Sequence, residues 1–455
     1  MPSFACFIIR EWLSPPRALA GFMHPNLSFE QAPPMSVPFR FFLTAPWFGV
    51  LAGLLLLWEG PQVLASRWTP EALGLTHLLV AGFMLQAMTG ALFQFIPVAT
   101  GGNIWRPRWI AGITHPLLAL GALLLVAAFL GAGNRLFLAA AHTALLGVVI
   151  VVAATGWAMW KTPASGATVS ALRLAILGLA VTAALGFGLA YGLGRGRSWP
   201  LIEMANVHAA WGLGGWGLML LAGVSYYVVP MFQLTPAYPP RLSKLLPLSL
   251  VGLLLVWSAQ LNGVTPAWQQ VTLAAGMLVA AIHALITLNL QRQRRRKIPD
   301  CTHRLFLLAM AALLAVAVSV VLGILVPEIG LATRFPVWVG VLVIPGVFLS
   351  VITGMLYKIM PFIVWLHLQR LGSSTVLPPN MKKIIPERLM AGQMWAHFAS
   401  VATLLGAVWL PLLARPAGAL LALSSAWLGW NLMVAVRNYV HFKDHMLSAS
   451  PGHGS

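Results

Sequence analysis

Six histidines, His77, His115, His142, His208, His283 and His397, fall inside long apolar runs of the chain. Neutral imidazole is the side chain that a buried haem iron or copper ion recruits, and ionisable groups at membrane depth mark functional sites. His77 follows Pro70 by seven residues and His208 follows Pro200 by eight. At the helical rise both fall roughly 10–12 Å below one membrane surface. Methionines accompany two of the histidines: Met204 precedes His208 by four residues and Met394 precedes His397 by three, so each pair shares a helix face. Thioether with imidazole suits haem iron or Cu(I), although Met also serves as plain core filling. The candidate cofactor ligands are His77, His208, His397 and His142, and the candidate ligands for a bare metal ion are His77, His208, Met204 and His283. The competing role for any one of them is a hydrogen bond to a neighbouring helix.

The acidic residues point the other way. The nine carboxylates are Glu11, Glu30, Glu59, Glu71, Glu203, Asp300, Glu328, Glu387 and Asp444, and none lies in the middle of an apolar run. Carboxylate-driven proton pumping, paired-carboxylate hydrolysis and phosphoryl transfer therefore find no residues here. Cys6 and Cys301 offer neither a disulfide framework nor a C-x-x-C-H haem attachment.

The helices that must position the histidines repeat. Gly90-Ala91-Leu92-Phe93-Gln94-Phe95-Ile96-Pro97 returns as Gly223-Val224-Ser225-Tyr226-Tyr227-Val228-Val229-Pro230 and again as Gly354-Met355-Leu356-Tyr357-Lys358-Ile359-Met360-Pro361. Each copy reads G-x-x-[FY]-x-x-x-P, and the intervals are 133 and 131 residues (223 − 90 and 354 − 223). The runs also open alike, at Thr69-Pro70, Ser198-Trp199-Pro200 and Thr333-Arg334-Phe335-Pro336, each a capping hydroxyl beside a first-turn proline. The closing prolines are expected where each helix stops. One helix type is used three times.

Hydrophobic residues make up 59% of the 455, charged residues 8%, and mean hydropathy is +0.84. This is the composition of a polytopic helical membrane protein. Twelve runs are long enough to span, near 43–62, 70–97, 108–131, 135–160, 169–192, 200–230, 243–262, 266–291, 304–327, 336–366, 389–412 and 416–440. The expected architecture is all-α, with twelve transmembrane helices in three four-helix arcs of pseudo-threefold symmetry. The arcs are 43–160, 161–303 and 304–440, between a cytoplasmic leader over 1–42 and a cytoplasmic tail over 441–455. The formal charge of +19 reads as topology. Lysines and arginines gather on alternate loops, which places both termini in the cytoplasm of a bacterial-type inner membrane. The run Arg292-Gln293-Arg294-Arg295-Arg296-Lys297 is expected to anchor against anionic lipid; no aromatic or fold signal supports nucleic-acid binding.

Three arcs, outer-half histidines in the second and sixth helices, and the G-x-x-[FY]-x-x-x-P endings resemble the catalytic subunit of the haem-copper oxidase superfamily. Val207-His208-Ala209, Gly215-Trp216-Gly217 and the Tyr226-Tyr227 ending are similar to its C-type oxidase and nitric-oxide-reductase branch. The resemblance implies haem b, with His77 in the place of a low-spin haem ligand and His208 in that of a copper ligand. The family's two tenth-helix histidines have no counterpart between Val337 and Leu349, nor its seventh-helix pair between Leu242 and Gly263. Oxygen reduction and proton pumping are therefore not expected. The pattern looks more like divergent, non-pumping relatives such as the NnrS family. That implies an oxidoreductase, if an enzyme at all, acting in redox chemistry, nitric-oxide response or respiration. A respiratory or denitrification subunit would be its partner, beside the lipid bilayer. The alternatives are a transporter or assembly factor for haem or copper, or a metal-free structural partner of a respiratory complex.

Overall fold

The computed structural model describes residues 31–263, 266–372 and 377–448. Most of the expected leader, residues 1–30, and the end of the tail, from 449, lie outside the described residues. Among those described, the elements are helical throughout, without a strand.

Among the described residues, eleven helices are long and apolar enough to cross a membrane: α1 Ser36–Leu64, α2 Pro70–Thr100, α3 Pro107–Phe129, α4 Asn134–Lys161, α5 Ala167–Arg195, α6 Leu201–Gln233, α7 Pro240–Ser258, α8 Ala267–Arg292, α9 Cys301–Leu325, α10 Phe335–Gln369 and α12 Pro411–Ser448. The chain is a helical, multi-pass membrane protein. Between the last two, α11 spans Glu387–Trp409, 23 residues. It carries Glu387, Arg388, Gln393 and His397 and is not among the eleven.

The three helices that bear the repeated ending are the most buried of the eleven. Each is interrupted by a π-helical segment, over Leu78–Met84 in α2, Trp211–Leu218 in α6 and Leu342–Leu349 in α10. The segments start 133 and 131 residues apart (211 − 78 and 342 − 211), the interval of the repeated ending itself. A π segment inserts an extra residue in a turn and turns later side chains relative to earlier ones. Its recurrence at one register shows that the repeat is structural and not only a pattern of Gly and Pro.

Two expected details differ. Only the first repeated helix has a hydroxyl cap, Thr69 Oγ1 accepting from the Ala72 N–H at 3.2 Å. The second and third start from Pro200 and Arg334 without a side-chain cap. The prolines also do not end the helices: α2 and α6 run on for three residues past Pro97 and Pro230, and α10 for eight past Pro361. Ile363, Val364 and Leu368 are fully buried beyond that proline, so burial of this segment outweighs the one backbone hydrogen bond that Pro361 removes.

Glycines set the closest helix approaches. Gly53 on α1 faces Gly418 on α12, where a Cβ on Gly53 would lie 2.6 Å from the Gly418 carbonyl oxygen. A Cβ on Gly178 of α5 would overlap the Gly215 carbonyl of α6. Small residues at such crossings are the usual means of close packing in lipid. Besides α1 on α12, α4 packs along α5 and α8 along α9.

Candidate functional site

His77 is the last residue of α2 before its π segment, and His208 stands three residues before that of α6. The two rings lie 6.4 Å apart, centre to centre, with planes 17° from parallel. His77 Nδ1 is 2.8 Å from the Leu73 carbonyl one turn back on its own helix. His208 Nδ1 is 3.0 Å from the Thr182 carbonyl on α5. A ring nitrogen facing a carbonyl must be the protonated one, which leaves each Nε2 with a free lone pair. This is the tautomer that metal-ligating histidines take, held by an outer hydrogen bond. No hydrogen bond to either Nε2 is present among the described residues.

The surroundings hold the rings in place. Gly186 of α5 leaves room for the His208 ring, since a Cβ there would sit 2.9 Å from His208 Cε1. The Phe129 ring from α3 lies 5.2 Å from His77, tilted by 32°. Met204, one turn from His208, reaches toward α5, where a Cβ on Gly188 would come within 3.3 Å of its Cε. Counted back from the repeated glycines, His77 stands thirteen residues before Gly90 and His208 fifteen before Gly223, so the two are offset by two residues within the repeat. They meet because they approach one space from different helices, not because symmetry superposes them.

The other candidates have different neighbours. His142 lies on the exposed face of α4, with Nδ1 2.7 Å from the Leu138 carbonyl and its ring edge-on to Phe187. His397 is buried, with Nε2 2.8 Å from Ser350 Oγ. His283 is buried in α8, stacked 6.1 Å from Tyr238 at 7° and 6.3 Å from Tyr226, with Nε2 unpartnered. His115 meets Thr44 Oγ1 at 2.8 Å. Of the candidate set, only His77 and His208 face each other. Among the described residues no three His, Cys, Asp or Glu side chains gather as a closed metal site would require. Thr182, Gly186 and Phe129 are not legible as site residues in the sequence. A backbone carbonyl and a missing Cβ leave no residue-type signal, and aromatic residues are common throughout this chain. No family model matches the chain, and no curated protein matches it.

Proposed function

We propose that this membrane protein binds haem b, or alternatively copper, between His77 and His208, and that it acts in redox chemistry or the response to nitric oxide. The observation that carries this reading is the near-parallel imidazole pair at 6.4 Å. A metal ion or haem at this place would be held by the imidazoles of His77 and His208. The donor set fits: both Nδ1 atoms are engaged by carbonyls and both Nε2 atoms are free. When bound, haem b would supply one-electron chemistry and an iron able to bind diatomic gases. The protein's part is to fix the two rings, set their tautomers and exclude water.

The same proposal takes the architecture as twelve spans, with α11 included, in three arcs like those of the haem-copper oxidase catalytic subunit. Supporting it are the π segments in register, the burial of α2, α6 and α10, and the packing of α4 on α5, α8 on α9 and α12 on α1. In that arrangement both termini face the cytoplasm of a bacterial inner membrane, a respiratory or denitrification subunit is the natural partner, and NnrS-like proteins are the nearest functional type. The copper variant draws on Met204, one turn from His208 on α6. The test is to purify the protein from haem-replete cells and record oxidised and dithionite-reduced spectra with elemental analysis. A b-type spectrum, or about one copper per chain, is expected. A flat spectrum with no metal would remove the proposal.

A further inference from the structure

A cavity of about 720 Å³ lies on the far side of α6 from the histidine pair. Its wall is apolar and drawn from five helices, including Leu213 of α6, Leu254 of α7, Met277 of α8, Val316 of α9 and Val343 of α10. It extends along α6 from Asn206 to Leu218, twelve residues or about 18 Å at the helical rise. At the Asn206 end stands Arg67, from the loop joining α1 to α2.

Two features bear on what this space could hold. The first is the glycines on its wall. Gly276 of α8 and Gly340 of α10 line the cavity, and a Cβ on either would meet nothing within 4 Å. Other helical glycines are of both kinds: Gly53 and Gly418 are closely packed, whereas Gly156 and Gly252 also stand free. At Gly276 and Gly340 the missing side chain leaves the cavity its full width between α8 and α10. The second is Arg67. Its guanidinium donates to Asn206 Oδ1 at 2.7 Å and lies 4.1 Å over the Trp68 ring. It has no carboxylate partner: among the described residues the ion pairs are those of Asp300 with Arg296 and with Lys358. Burial holds its pKa below the ordinary arginine value. A half-buried cation facing an apolar tube lacks an anion.

We infer that the cavity binds a single-chain amphiphile with an anionic oxygen head, the head on Arg67 and the chain running between α7, α8 and α10. A volume of this size suits one acyl chain and not a whole two-chain phospholipid, and planar guanidinium is suited to carboxylate or phosphate. The site is separate from the histidine pair, and its test reads lipid, not metal.

The probe is palmitic acid with a diazirine in its tail, crosslinked to the purified full-length protein in mild detergent and mapped by peptide mass spectrometry. Labelling is expected on the α8 and α10 segments that line the cavity, and Gly340→Phe, which puts a ring into the free space, should abolish it. Gly276→Leu should reduce it. Arg67→Gln should weaken labelling tenfold or more while leaving the α8 and α10 walls intact. Thermal unfolding confirms that each variant is folded. Competition by free palmitate assigns a carboxylate head, and competition by lysophosphatidylglycerol alone assigns a phosphate head; either supports the site. Equal competition by hexadecanol, or labelling unchanged in both Gly340→Phe and Arg67→Gln, would overturn it.

Discussion

Ser350 Oγ and His397 Nε2 lie 2.8 Å apart in the buried contact between α10 and α11. The same hydroxyl also donates to the Pro345 carbonyl at 3.1 Å, inside the π segment of α10. A hydroxyl has one proton, so Ser350 must accept from His397, and His397 carries its proton on Nε2. That nitrogen is therefore committed to holding two helices together. His77 and His208 show the opposite pattern, with Nδ1 committed and Nε2 free. His142 and His367 share that pattern, each with Nδ1 beside a carbonyl one turn back, so the occupied nitrogen identifies His397 as a helix-to-helix tie and the meeting of two rings is what sets His77 and His208 apart.

It follows that His397→Ala should cost about 1–3 kcal/mol of stability, through the lost hydrogen bond and the unpaired acceptor left behind. Metal content should not change. Thermal unfolding in detergent together with elemental analysis checks both halves. Loss of metal with unchanged stability would assign His397 to the cofactor after all.

Glycines should sort in the same way. Gly418→Val places side-chain atoms against the α1 backbone, where even a Cβ would lie 2.7 Å from the Gly53 carbonyl oxygen, and overpacking of this kind costs on the order of 1–3 kcal/mol. Gly276→Ala and Gly340→Ala, with nothing near the added Cβ, should be neutral or stabilising by up to about 1 kcal/mol. Melting temperatures of the three variants, measured side by side, decide it. Equal losses at all three positions would refute the distinction.

The loop between α8 and α9 carries a pH response. Asp300 caps α9 by accepting from the His303 N–H at 2.9 Å, and its carboxylate meets Lys358 at 2.7 Å and Arg296 at 3.0 Å. Burial alone would raise its pKa, but Lys358, the His303 N–H and Arg296 together bring it below the ordinary carboxylate value. A depressed folded pKa gives stability that is full above the unfolded value, about 3.9, and is lost as pH falls below it. Asp300→Asn should therefore flatten the acid limb of the stability profile below about pH 4 and cost about 1.5–3 kcal/mol at neutral pH. Unfolding midpoints of both proteins across pH 3–8 test this. An unchanged acid limb in the variant would contradict it.

How far the sequence disclosed all this depends on the kind of signal. Long apolar runs and a sparse, one-sided distribution of charge are written directly in residue types, and the helices appear where those runs lie. The G-x-x-[FY]-x-x-x-P repeat announced three like helices, but the π segments inside them follow from backbone hydrogen bonding and have no residue signature. α11 has the length of a span, but Gln393 and His397 interrupt its apolar run and keep it outside the eleven. His77 and His208 could be singled out by depth alone. The exposure of His142 and the Ser350 partner of His397 depend on helix rotation, which a two-residue uncertainty in register turns through more than half a circle. The apolar cavity was invisible because it consists of side chains that are missing at Gly276 and Gly340, not of residues that are present.

The central claim is that His77 and His208 hold one metal between them. The most direct measurement is the electron paramagnetic resonance and optical spectrum of the oxidised, haem-replete protein beside His77→Ala and His208→Ala. The account predicts a low-spin, bis-imidazole ferric signal, or a copper signal in its place, that disappears in each variant while the helical circular dichroism stays. A signal that survives both substitutions, or a wild-type protein without any metal signal, would contradict it.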